Sequence, residues 1–255
     1  MHDLVVRNGT VIDGTGAPGI RADVAVDGDR ITVVGTVSDP GRREIDASGL
    51  VVTPGFVDVH THYDGQATWD PLLTPSLWHG VTTVVMGNCG VGFAPAAPDR
   101  HDWLIGLMEG VEGIPGASLR EAIRWDWESV GEYLDALDEI PRALDIAAQI
   151  PHGAVRAFVM GERGAANEPA TTDDIAAMAD VVREGVAAGA VGFSVNRLEL
   201  HKAVDGREVP GTFATAAELT ALIRAAGTGS GDAVYSTIMP GAPTERERDR
   251  DAGFA

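Results

Sequence analysis

From Pro54 onward the chain alternates short apolar runs with helical stretches, and this alternation restricts it to a parallel sheet covered by helices. Residues 56–59, 81–86, 145–150, 190–194 and 233–238 are rich in β-branched and apolar side chains and are predicted as five strands. Between the third and fourth, the pattern predicts a helix over 172–188. Thr171 and Asp174 form its N-terminal cap, Ile175, Met178, Val182 and Val186 its apolar stripe, and Gly189 its stop. A second helix is predicted over 216–225. Residues 87–141 are too many for a simple connection; helical patterns near 119–124 and 129–137 flank Trp125 and Trp127, as in an insertion that shapes a pocket. Ahead of Pro54 the texture is all β. Asn8-Gly9, between 4–7 and 10–12, predicts a hairpin, and Asp27-Gly28-Asp29, between 23–26 and 30–34, predicts another. Residues 44–46 and 50–52 add strands. The organisation expected is 1–54 as a small β portion and 55–255 as a strand–helix portion.

The strand at 56–59 runs into His60-Thr61-His62. Side chains alternate along a strand, so His60 and His62 project to one side and are able to share a metal ion. Spacing alone leaves open two histidines satisfied within the fold; a strand end is, however, where barrel enzymes hold their chemistry. The formal net charge of −19 argues against nucleic acid or an anionic membrane as partner, and an anionic small-molecule substrate would need local positive charge. With 44% hydrophobic and 22% charged residues the chain is of the globular type. No apolar run approaches the ~20 residues of a membrane span, and Met1-His2-Asp3 does not begin a signal peptide. Cys89 is the only cysteine, which excludes an intrachain disulfide and suits a reducing, cytoplasmic setting. Oligomeric state is not legible. The tail at 244–251 mixes both charge signs and reads as a solvated face or frayed end.

Pro54-Gly55-Phe56-Val57-Asp58-Val59-His60-Thr61-His62 resembles the first barrel strand of the amidohydrolase superfamily. His60-Thr61-His62-Tyr63-Asp64 with Gly87-Asn88-Cys89-Gly90 is similar to its D-aminoacylase (N-acyl-D-amino-acid deacylase) branch. Met108-Glu109-Gly110-Val111-Glu112-Gly113-Ile114-Pro115, Pro151-His152-Gly153, Val159-Met160-Gly161-Glu162 and Gly192-Phe193-Ser194 continue the match. The resemblance implies an α/β fold, a TIM-like (β/α)8 metal-dependent hydrolase barrel beside a small β-sandwich built from both chain ends. It implies hydrolysis of a linear amide, most of all N-acyl-D-amino-acid deacylation, at a Zn2+ site.

Carried across, the resemblance makes His60, His62 and Cys89 the metal ligands. His152 and Arg197, each following a strand, are candidates for substrate binding, Arg197 as a fork donor to a carboxylate. Tyr63 and Asp64 are candidate supports for the ligands. His79 and His201 read as structural or exposed, and His2 and His101 carry no role. Related cyclic amidases use a carboxylated lysine from the fourth strand. Lys202, the sole lysine, lies eight positions past Ser194, off the strand. Residues 234–239 contain no histidine where the family places one, and the family's catalytic aspartate lies beyond these residues, so no catalytic residue is assigned. Five strands stand where a barrel needs eight. The expectation is therefore an N-terminal portion, unstable and inactive alone. The alternatives are a dihydroorotase- or hydantoinase-like cyclic amidase and a non-catalytic binding fragment.

Overall fold

The computed structural model describes residues 1–230 and 233–238; the tail at 244–251 and Met239 lie outside the described residues. The chain divides into two compact units, Met1–Phe56 and Val57–Ala255.

The first unit is one mixed five-stranded sheet. It comprises β1 (His2–Val11), β2 (Ile20–Asp27), β3 (Arg30–Gly35), β4 (Gly41–Asp46) and β5 (Val51–Val52). Its order is β3-β2-β1-β4, with β5 also on β1. The hairpin predicted at Asn8-Gly9 is absent, because β1 runs straight through it. Asn8 adopts φ 62° and the register against β2 shifts between Val6 and Gly9, which makes the pair a bulge. The Asn8 N–H donates to Asp23 Oδ1 at 2.8 Å, and both arms of β1 stay paired with the one partner β2. An Asn-Gly pair supplies positive φ; here tertiary pairing spends it on a kink and not on a reversal. Gly28, φ 60°, does turn the chain between β2 and β3, where Asp27 faces Arg30. Val5, Ala25 and Val37 form a small buried cluster, while Ile20, Ile31 and Val34 stay exposed.

The second unit carries β6 (Phe56–Asp58), β7 (Val81–Met86), β8 (Asp145–Pro151), β9 (Gly192–Asn196) and β10 (Val234–Ile238) in one sheet, neighbours in chain order. The β7/β8, β8/β9 and β9/β10 pairs are parallel. This sequential parallel order is that of a TIM-like half-barrel. Helices α1 (His101–Glu112), α2 (Gly116–Ala122), α3 (Val130–Asp138), α4 (His152–Met160), α5 (Glu162–Ala165), α6 (Thr172–Ala187) and α7 (Ala216–Ser230) connect the strands. The sequence pattern did not reveal α1 or α4. Most of α4 is buried, so it lacks the polar stripe that marks a helix by period.

Met178, Val182 and Val186 of α6 are buried in one core with Ile150 and Phe193 of the sheet. At the start of α6 the Thr171 hydroxyl accepts from the Asp174 N–H, and Asp174 accepts from the Thr171 N–H at 2.8 Å, a full capping box. The Thr171 backbone bond and the Arg163 guanidinium hold the Asp174 carboxyl down at about 2, against an ordinary 3.8. Replacing Thr171 by Ala should cost about 1 kcal/mol, read as a lower denaturant midpoint with an unchanged slope. A depressed carboxyl stabilises the fold above its unfolded value, so the box should contribute fully above pH 3.8 and fade as pH falls toward 2. The gap between Thr171→Ala and wild type should narrow over that interval.

Candidate metal centre

β6 delivers Thr61 onto β7. The Thr61 N–H donates to Val85 O at 2.9 Å and its hydroxyl to the same oxygen at 2.8 Å. With Thr61 turned inward, His60 and His62 fall on the other side, their rings 5.5 Å apart and edge-on at 63°. The third group comes from the turn after β7. Gly87, Cys89 and Gly90 have φ of 76°, 56° and 69°, so the chain reverses through left-handed conformations. Such a φ on a non-glycine costs about 1–3 kcal/mol and persists only where surrounding bonds fix it.

Those bonds are present. Asn88 donates to Val85 O at 3.0 Å and to Thr61 O at 3.3 Å, and accepts from Gln149 Nε2 at 2.8 Å. The Gly90 N–H donates to Ser194 Oγ at 3.1 Å, and Ser194 in turn donates to Gly87 O. Gly90 O accepts from the Gly153 N–H at 2.9 Å. The ends of β6, β7, β8 and β9 thus clamp one short turn.

The clamp presses the buried Cys89 Sγ to 3.2 Å from His60 Nε2. One donor atom each from His60, His62 and Cys89 lie within 4.8 Å of one another, the one group of three or more such side chains found among the described residues. His60 is exposed, His62 half-buried and Cys89 buried. The electrostatics are those of a site short of positive charge. Burial pushes the Cys89 thiol up to about 12, aided by the carboxylates of Glu112 and Asp64. Burial lowers His62 to about 4, with His60 and His201 adding to it. Asp64, 2% exposed, is raised by burial to about 7, and its Oδ2 has no hydrogen-bond partner. A bound divalent cation inverts this balance, because coordination drives the thiol to thiolate.

The other candidates are placed differently. His152 opens α4, fully buried, its Nε2 2.9 Å from Glu218 Oε1, which also pairs with Arg156. Arg197 is 2% exposed and donates to Ala214 O at 2.8 Å. Tyr63 turns its hydroxyl to Ser76, 2.8 Å away, and not to a histidine. Lys202 is exposed and paired with Glu208 at 3.2 Å, in a bridge outside the sheet. His101 stacks on Trp125 at 3.9 Å. Two groups near the centre were given no part in the site from the sequence. His201, read as structural or exposed, is half-buried with an unpartnered Nδ1; it adds to the lowering of His62, while burial and the charge of His60 lower His201 itself. Glu112, in the Glu-Gly-Val-Glu-Gly run, lies with Oε1 3.2 Å from His62 Nε2. The signal was an acidic pair inside an otherwise apolar helical run.

The family described as "Amidohydrolase family" matches residues 43–251. The chain belongs to that family. Among curated relatives, a D-aminoacylase from Alcaligenes xylosoxydans xylosoxydans is 42% identical over 193 residues, 75% of this chain and 37% of the relative. An N-acyl-D-glutamate deacylase from the same organism is 35% identical over 225 residues, 88% of this chain and 41% of the relative. The chain therefore spans about two-fifths of the length of these relatives. Among solved structures, the N-acyl-D-glutamate deacylase from Bordetella bronchiseptica complexed with zinc and a phosphonate inhibitor superposes with TM-score 0.76 at 30% identity. It is matched over 99% of this chain and 48% of that one. A D-aminoacylase crystal structure gives TM-score 0.71 at 34% identity, over 94% of this chain and 45% of that one. Among the described residues of this amidohydrolase, no helix is long and apolar enough to cross a membrane.

The turn makes a sharp prediction. A Cβ on Gly87 would stand 2.2 Å from Gln149 O while holding φ 76°. Gly87→Ala should therefore cost more than the ~1–3 kcal/mol of left-handed strain alone. Thermal melting should show a clearly larger loss than for Gly206→Ala, whose φ of 85° faces open space.

Proposed function

We propose that the protein hydrolyses the amide bond of N-acyl-D-amino acids at a zinc centre held by His60, His62 and Cys89. The observation that carries this reading is the convergence of two imidazoles and one thiol within 4.8 Å at the ends of adjacent strands. Two nitrogens and a sulfur are the donors zinc favours, and three protein ligands leave a position open, as in a catalytic site. The unpartnered His62 Nδ1 and the raised Cys89 thiol fit a missing positive charge. The relatives named as deacylases of N-acyl-D-amino acids support the reaction class. When bound, zinc supplies Lewis acidity toward water and the amide carbonyl.

The chain's own residues do the positioning. Asn88, Gln149 and Ser194 hold Cys89 in its left-handed turn, and Thr61 sets the two histidines. His152 and Arg197 are buried and bonded to Glu218 and to Ala214 O, and on this reading they support the substrate site from behind instead of gripping the substrate carboxylate. The whole protein on this reading is a closed (β/α)8 barrel with a β-sandwich, acts on a small anionic substrate, and works in the cytoplasm, where Cys89 stays reduced. A cyclic-amidase reading is disfavoured by Lys202, exposed and held by Glu208.

Two measurements test the proposal. Zinc content of purified protein should fall on Cys89→Ala; equal content in both removes Cys89 from the site. In a version carrying the whole length of its relatives, N-acetyl-D-amino acids should turn over faster than hydantoin or dihydrouracil. Faster turnover of the cyclic substrates would overturn the linear-amide assignment.

A further inference from the structure

Glu218, in the first turn of α7, is 1% exposed. Its backbone N–H donates to Thr215 Oγ1 at 3.2 Å, and its carboxylate turns inward onto α4. One oxygen, Oε1, meets His152 Nε2 at 2.9 Å and also accepts from Arg156 Nη1. His152 and Arg156 are four residues apart, so they lie one above the other on a single face of α4. A single atom of α7 thus holds two successive turns of α4 and fixes that helix in rotation about its axis. The His152 ring has no play: a Cβ on Gly211 would stand 2.2 Å from its Nδ1, and Phe193 meets the ring edge-on at 5.3 Å. With Nδ1 closed off and unpartnered, Nε2 carries the proton and donates it to Glu218.

The rotation of α4 bears on the cysteine turn. A helix begins with N–H groups that have no partner within it. In α4 the second of these, on Gly153, donates to Gly90 O at 2.9 Å. A Cβ on Gly153 would stand 2.6 Å from that oxygen, so backbone rests directly on backbone, one residue from His152 and one residue from Cys89. Turning α4 about its axis would draw the Gly153 N–H off Gly90 O. It would also loosen the left-handed turn that presses Cys89 Sγ to 3.2 Å from His60 Nε2. Neutralising a buried guanidinium does not by itself account for this arrangement. Arg156 alone balances the Glu218 charge, and the second bond, to His152, adds direction in place of charge.

We propose that Glu218 is a positioning residue for the metal centre: by holding His152 it fixes the first turn of α4, and through the Gly153 N–H it keeps Cys89 in register with His60. This rests on the reading of His60, His62 and Cys89 as metal ligands and extends the support of that site to α7. Glu218 touches neither metal nor substrate in this role; it acts through two intervening residues.

Two probes read the position of Cys89. Cobalt(II) gives a near-ultraviolet charge-transfer band from a bound thiolate, and a thiol reagent on metal-free protein labels Cys89, the sole cysteine. Wild type, Glu218→Ala, Glu218→Gln, His152→Leu and the Glu218→Ala/His152→Leu double variant would be compared. The control is Leu222→Ala, one turn further along α7 and fully buried, with thermal melting recorded for all. Glu218→Ala and His152→Leu should each weaken cobalt binding roughly 10-fold, shift the thiolate band and speed labelling. The double variant should be no worse than the worse single, because both break one link. Glu218→Gln keeps an acceptor for His152 and should recover most of the affinity. Glu218→Ala strands Arg156; if it does not fold, His152→Leu, which leaves Glu218 and Arg156 paired, carries the comparison with Leu222→Ala. Wild-type affinity, band and labelling in Glu218→Ala or His152→Leu would overturn the proposal. Equal losses in Leu222→Ala at a matched melting temperature would overturn it in favour of general stability, and additive losses in the double variant would show that Glu218 does not act through His152. A wild-type chain that takes up no cobalt places that failure in the metal-centre reading, and the labelling rates still decide whether Glu218 holds the turn.

Discussion

The site depends on one four-residue turn. Gly87 to Gly90 reverses the chain through three left-handed residues, one of them Cys89, and that conformation does not hold itself. It is held by Asn88 on Gln149 and by Ser194 bonding both Gly87 and Gly90. Each partner sits on a different strand of the parallel sheet. The sheet is thus more than a scaffold beneath the chemistry: its strand spacing sets the position of the thiol against His60. Ser194, buried deep in β9, acts on a cysteine more than a hundred residues away through two hydrogen bonds.

Charge is the second organising constraint. Cys89, Asp64 and Glu112 bring three acidic groups to the neighbourhood of two imidazoles, and burial disfavours the charged form of every one of them. His62 is likewise held neutral, which is the state in which imidazole ligates. A net charge of −19 over the chain adds no compensation from the surface. The arrangement is poor electrostatics for an interior and good electrostatics for holding a divalent cation. In the same unit, His152 and Arg156 form a buried link of the opposite kind, in which the Glu218 carboxylate has both as partners. Burial works against the Glu218 charge, but the bonds from His152 and Arg156 outweigh it and leave the carboxyl low.

Local pattern determined much of this protein. The five strand positions, the Thr171–Asp174 cap, the stripe of α6 and the His60/His62 pair follow from period, capping chemistry and strand alternation, all of which act over a few residues. Three things were settled only in three dimensions. Asn8-Gly9 has the turn propensity of a hairpin, yet pairing of both flanks with β2 makes it a bulge. His152 and Arg197 follow strands as site residues do, but the packing of α4 and α7 encloses them and gives them partners at Glu218 and Ala214. Glu112 and His201 reach the centre from a helix end and a loop far along the chain, where no local spacing links them to His60. Sequence determines which side chains alternate, cap and turn, because those effects are short-ranged. Which distant groups share a buried volume, and which carboxylate is left there without a counter-charge, is decided by the sheet that brings the strand ends together.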